Sequence, residues 1–159
     1  MDWNEIVYYK EGALYWKIKR SHNAKVGDEC GYRSSTGYII FEYENKCYTA
    51  HRVIWQLFNG EIPDGLEIDH IDRDRSNNLV ENLRLSTRKE NAANSSLSKR
   101  NTSGFRGVSY DKRRSKFFAQ IVFNKQKQFL GYFETAEQAS QAYNYSAEKL
   151  FGEFYNGPI

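Results

Sequence analysis

Leu66-Glu67-Ile68-Asp69-His70, then a polar loop, then Asn82-Leu83-Arg84-Leu85-Ser86-Thr87-Arg88-Lys89-Glu90-Asn91: this stretch decides how the first half of the chain is read. Residues 66–69 and 82–86 have the short apolar alternation of strands, and residues 72–78 between them are polar and charged. Thr87-Arg88-Lys89-Glu90 has the Ser/Thr-x-x-Glu form, in which the first side chain caps the helix and the fourth reaches back, so a helix should open at Thr87. The order strand, loop, strand, helix puts Asp69 and His70 at the exit of one strand and Asn91 in the first turns of the helix. Packing the hairpin on that helix would bring all three to one place.

The residue types at that place suit one chemistry. Breaking a phosphodiester needs a base to activate water and positive charge beside the phosphate. His70 is the candidate base, since histidine is the side chain best able to take a proton near neutral pH. Asp69 and Asn91 offer oxygen ligands, which suit magnesium, manganese or calcium better than zinc. Asn82 is placed to hydrogen-bond His70 and fix which ring nitrogen faces the water. Asparagine is also an ordinary turn residue, so a purely structural loop is the competing reading.

Outward from this segment the chain divides. Residues 1–49 alternate aromatic and polar positions, with hairpin turns expected at Glu11-Gly12 and Glu44-Asn45. Val53, Ile54, Leu57 and Phe58 stand at helical spacing over 51–58, and Gly60 ends that helix. Residues 95–103 are polar and aperiodic and read as a basic linker carrying Lys99 and Arg100. Residues 104–110, 117–123 and 128–133 read as three strands separated by charged turns. Thr135-Ala136-Glu137-Gln138 opens a helix with Ala136, Ala139, Tyr143, Ala147 and Leu150 on one side. The expected class is α+β, with units at 1–94 and 104–159.

Bulk properties narrow the class further. The 159 residues carry net charge +3, 40% hydrophobic and 16% aromatic residues, enough for two small aromatic-rich cores. Between residues 96 and 127 nine lysines and arginines face one acid, Asp111, which calls for a polyanion or a well-solvated face. Two cysteines, Cys30 and Cys47, form no paired motif; a four-ligand zinc site is not expected, and a reduced, cytoplasmic setting fits better than a Cys30–Cys47 disulfide. No apolar run is long enough for a bilayer, and the first residues lack a signal-peptide pattern.

Ile68-Asp69-His70-Ile71-Asp72, Asn77-Asn78, Asn82-Leu83-Arg84 and Glu90-Asn91-Ala92-Ala93-Asn94 together resemble the HNH homing endonucleases of bacterial viruses. Tyr48-Thr49-Ala50-His51-Arg52-Val53-Ile54-Trp55 matches the stretch preceding that motif, and the likeness covers residues 37–94. It implies a ββα-metal fold, His70 as general base, Asp69 and Asn91 as ligands of one Mg2+ or Mn2+, Asn82 as the group orienting His70, and a phage-infected bacterium as the setting. His51, Arg52, Arg84, Arg88 and Lys89 are then candidates for phosphate contacts, and His22 reads as surface.

The second half resembles the Apetala-two, or ethylene-response-factor, DNA-binding domains of plants. The residues carrying this are Gly104-Phe105-Arg106-Gly107-Val108, Lys116-Phe117-Phe118-Ala119-Gln120-Ile121, Phe129-Leu130-Gly131-Tyr132-Phe133 and Ala142-Tyr143-Asn144. The resemblance implies a three-stranded antiparallel sheet on one helix, with the sheet in the major groove. Arg106, Lys112, Arg113, Arg114, Lys116, Gln120, Lys127, Phe129 and Tyr132, with Lys99 and Arg100 of the linker, are the candidate DNA contacts. Arg106 is the leading base reader. Ser109 and Val122 stand where arginines are usual, Gln120 replaces an acid and Phe129 a tryptophan, so the plant target sequence does not carry over.

The sequence therefore points to a sequence-specific, metal-dependent DNA endonuclease acting on double-stranded DNA, nicking once per chain as a monomer unless two chains meet on DNA. The alternatives are a transcriptional regulator with an inactive nuclease scaffold, and an RNA-binding module.

Overall fold

The computed structural model describes residues 1–20, 24–95, 97 and 100–157; His22 and Lys99 lie outside the described residues. The chain forms two compact units, Met1–Asn91 and Ala92–Ile159. Among the described residues the architecture is α+β: small antiparallel sheets and three α-helices.

In the first unit β1 (Val7–Lys10) pairs with β2 (Ala13–Trp16), and β3 (Tyr32–Arg33), β4 (Ile39–Tyr43) and β5 (Lys46–Thr49) make a second sheet. The two expected hairpin turns form. Glu11 and Gly12 have φ of 49° and 85°, Glu44 and Asn45 50° and 59°. Two successive left-handed residues make the turn whose twist matches that of paired strands. The two-residue β3, which pairs with Ile39 and Ile40, is too short and too exposed to leave a periodic signal.

α1 (Ala50–Asn59) turns Ala50, Val53 and Ile54 into a core with Trp3, Val7, Leu14, Trp16, Phe41, Ile68 and Leu83. Trp3 anchors it, meeting Phe41 and Tyr48 edge-on and donating from Nε1 to Gln56 Oε1 at 3.1 Å. Cys30 is buried there as a free thiol pushed up to about 12, first by burial and then by Glu29, while Cys47 is free and exposed. β6 (Leu66–His70) pairs with β7 (Leu83–Thr87), and α2 (Arg88–Asn94) follows at once. The box at Thr87 is complete: Thr87 N and Oγ1 donate to Glu90 Oε2, and Glu90 N donates back to Thr87 Oγ1.

In the second unit β8 (Val108–Asp111), β9 (Lys116–Phe123) and β10 (Gln126–Phe133) form a sheet of order β10-β9-β8, backed by α3 (Ala136–Phe151). Asn124 and Lys125, with φ of 50° and 65°, turn β9 into β10. Thr135 caps α3 by accepting from Gln138 N. Ala136, Ala139 and Ala147 are buried against Val108, Ala119 and Ile121, small side chains that let helix and sheet approach closely. Gly107 shows how close: with φ of 67°, a Cβ there would overlap the Tyr143 ring and lie 2.6 Å from Gln120 O. Among the described residues no helix is long and apolar enough to cross a membrane.

Candidate active site and nucleic-acid surface

β6 delivers Asp69 and His70 to its end, 5% and 4% exposed. Register sets Asp69 opposite Arg84 and His70 opposite Leu83. Arg84 Nε donates to Asp69 Oδ2 at 2.9 Å and Nη2 stands 2.9 Å from the same oxygen, so the buried carboxylate is charge-compensated across the hairpin. Alternation along β6 puts Glu67 on the face of Asp69, and Asn91 of α2 reaches that face, its Nδ2 donating to Glu67 Oε2 at 2.7 Å. Helix and hairpin thus pack on the Asp69 face, while the same alternation turns His70 to the other face, beside Tyr38 and His51.

His70 is fixed from the loop. Its Nε2 lies 2.9 Å from Asn78 Oδ1, and Asn78 is only 2% exposed. An amide oxygen there accepts from Nε2–H, which assigns the ring proton to Nε2 and the lone pair to Nδ1. The orienting bond that the sequence reading gave to Asn82 comes instead from Asn78. Asn82 organises the loop: Oδ1 accepts from Asp72 N (3.0 Å), Nδ2 donates to Asp72 Oδ1 (2.9 Å) and Asn77 O (2.8 Å), and its carbonyl accepts from Ile71 N (2.9 Å). Both amide hydrogens are engaged there, which is why that side chain holds the loop rather than the ring. Burial alone would raise the Asp72 carboxyl, but hydrogen bonds from Asn77, Asn82 and Asp74 N outweigh it and hold it below its ordinary value.

His51, read from the sequence as a structural or phosphate-contacting residue, takes the enclosed place. It is 6% exposed, with its ring 5.0 Å from His70 and 5.0 Å from Tyr38. Burial, then His70 and Arg52, lower its pKa from 6.5 to about 3, and Nδ1 has no hydrogen-bond partner among the described residues. A neutral, enclosed ring offers no charge to a phosphate. Arg84 is likewise drawn inward by Asp69, whereas Arg52, Arg88 and Lys89 are exposed as phosphate contacts require. Asn78 entered the sequence reading as half of the Asn77-Asn78 pair in the HNH-like motif set, with no role assigned to it.

The donor set can be tested against a divalent ion. Among the described residues no three His, Cys, Asp or Glu side chains cluster to hold a metal, which fits zinc poorly. One carboxylate and one carboxamide oxygen instead suit a cation that keeps most of its own water, as magnesium does. Asn91 presents its nitrogen to Glu67, which turns Oδ1 away from that acid.

In the second unit alternation decides what faces outward. Odd positions of β9 pack on α3, so Lys116, Phe118, Gln120 and Val122 face away, beside Ser109 and Asp111 of β8 and Lys127, Phe129 and Tyr132 of β10. Lys112, Arg113 and Arg114 are exposed in the β8–β9 turn, and Arg114 sits 5.0 Å over the Tyr132 ring. Lys116 pairs with Glu134 at 2.8 Å, and Arg100 is exposed. Arg106 is the exception among the candidates. It lies before β8, not on the outer face, and its Nη1 donates to the carbonyls of Ala92 and Ala93. The leading base-reading candidate is therefore engaged by peptide oxygens of its own unit.

Residues 48–93 match the family profile described as HNH endonuclease. Over 124 residues the chain is 38% identical to an uncharacterized HNH endonuclease of Acanthamoeba polyphaga mimivirus, spanning 77% of this chain and 63% of that protein. It is 45% identical over 69 residues to Protein 3.8 of Escherichia phage T7, spanning 43% of this chain and 57% of that one. The chain thus spans less than two thirds of either curated relative. Among solved structures, the HNH homing endonuclease I-HmuI aligns with 86% of this chain and 76% of its own at 20% identity and TM-score 0.43. Strand, clamped loop, strand and capped helix thus lie in a segment, residues 48–93, that is similar to the HNH endonuclease family.

Proposed function

We propose that the chain is a sequence-specific, metal-dependent DNA endonuclease of the homing type that nicks double-stranded DNA. The observation that carries this reading is His70 held by Asn78 through Nε2, one residue along β6 from the buried Asp69 and on a hairpin against which Asn91 packs. His70 takes a proton from water at Nδ1 as that water attacks phosphorus in line. A divalent cation such as Mg2+ or Mn2+, bound by Asp69 and Asn91, would supply the charge that stabilises the phosphorane and the departing 3′ oxygen. Arg52, Arg88 and Lys89 hold neighbouring phosphates. The second unit docks on duplex DNA through the outer face of its sheet, with the turn at 112–115 on the backbone, and so chooses where the first unit cuts.

The test is nicking of supercoiled plasmid with Mg2+, by the native protein and His70→Ala. Loss of the base should slow nicking about 10²- to 10⁴-fold. Absence of nicking in both proteins, with duplex binding intact, would favour a DNA-binding regulator on an inactive scaffold.

A further inference from the structure

The outer face of the β8–β10 sheet has a composition that general DNA affinity does not explain. Its centre is apolar and open: Val122 is 53%, Phe129 56% and Tyr132 42% exposed. Phe118 completes the patch, with its ring 6.5 Å from Phe129 and 6.2 Å from Tyr132, which are 5.0 Å apart. Charge is confined to the edge, where the basic turn at 112–114 and Lys127 stand. The acids at this edge are paired, Asp111 with Arg114 at 3.6 Å and Glu134 with Lys116 at 2.8 Å. An exposed apolar patch rimmed by cations marks a binding surface for a partner that is anionic outside and apolar within.

We infer that this face reads thymine methyl groups in the major groove of duplex DNA. The inference rests on the second unit being the duplex reader. The major groove carries phosphates along both rims and one kind of apolar group on its floor, the C5-methyl of thymine. Guanine-rich sites call for arginine or lysine pointing at the floor; here no arginine occupies the strands' outward positions, and the two lysines there stand at strand ends, Lys127 near the start of β10 and Lys116 at the start of β9, paired with Glu134. Gln120 stands at the centre of the face, directly opposite Phe129. A glutamine amide suits adenine N6 and N7, which sit beside the thymine methyl in the same base pair. The face therefore favours A·T pairs: amide to adenine, ring and isopropyl groups to methyl. Duplex RNA is disfavoured twice, by a deep, narrow major groove and by uracil, which lacks the methyl.

The experiment uses the full chain without divalent metal, so that no strand is cut. Bound duplexes are selected from a random DNA library, sequenced, and remade with deoxyuridine in place of thymidine. Each methyl removed from contact should weaken binding about fourfold, taking ~0.8 kcal/mol per buried methyl, so two or three contacts give more than about tenfold. Val122→Thr and Phe129→Ser, both at exposed positions, should bind the two duplexes within about twofold of each other. Equal affinity of the native chain for thymine and uracil duplexes overturns the inference and leaves the duplex-reader role standing; this comparison alters no residue of the protein. So does selection of sequences without fixed thymines, or a uracil penalty that persists undiminished in both variants. Failure to bind any duplex, or equal competition by RNA, removes the underlying role as well.

Discussion

Acidification should loosen the first unit through His51. The perturbation is a shift from pH 7.5 to pH 5. In the folded chain the ring is enclosed beside His70 and Tyr38 and titrates at about 3; in the unfolded chain it titrates near 6.5. The folded value is the depressed one, so the unfolded state binds the extra proton between these limits. The stabilisation is complete above pH 6.5 and is lost as pH falls towards 3. At pH 5 the unfolded ring is protonated by a factor of about 30, while the folded ring is neutral for any folded value below 4. The loss is then about 2 kcal/mol, a large share of the roughly 5–15 kcal/mol that holds a domain. All three tryptophans, Trp3, Trp16 and Trp55, belong to this unit, so indole fluorescence during urea unfolding reports it alone. His51→Asn removes the titrating group while every other one is shared, so the variant should lose about 2 kcal/mol less than the native chain between the two pH values. An equal loss in both refutes the reasoning.

Other perturbations address other contacts. Asn78→Ala removes the contact to His70 Nε2 and should reduce nicking about a hundredfold while binding of duplex is kept; a loss under threefold would mean that another group orients the base. Arg84→Met leaves Asp69 buried without its cation and should cost about 3–5 kcal/mol in metal-free buffer. Mg2+ bound at Asp69 should restore part of that, so thermal melting should rise with Mg2+ more in the variant than in the native chain, and equal rises count against Asp69 as a ligand. Gly107→Ala forces a left-handed alanine into the Tyr143 ring; about 1–2 kcal/mol of backbone strain and 1–3 of overpacking should speed hydrogen exchange across 108–133 and leave indole fluorescence unchanged.

Local chemistry was the legible part of this chain. Thr87 and Glu90 announced their helix because a capping box is a contact between residues three apart, and Glu44-Asn45 announced a turn because two adjacent residues must both take positive φ. The same short-range logic located Asp69 and His70 at the end of β6 and Asn91 in α2, since strand exit and helix start lie in one continuous segment. What stayed hidden depended on direction and depth. Nothing in the sequence tells which of Asn77, Asn78 and Asn82 aims at the imidazole, because side-chain aim in a loop is set by the loop's own hydrogen bonds. Burial misled in the same way. His51 and Arg84 are polar letters in a basic neighbourhood, and only packing shows that one is enclosed and the other turned towards a carboxylate. Arg106 belongs with them, since its carbonyl partners lie fourteen and thirteen residues back.

The open aromatic centre of the second sheet has a consequence for handling the protein. Left bare, such a patch favours contact with a second copy, and the basic margins at 112–114 and Lys127 would repel their counterparts there. That repulsion reaches about 8 Å at physiological ionic strength and only about 3 Å in molar salt. Concentrated salt therefore weakens that repulsion, and self-association through the patch should rise with ionic strength.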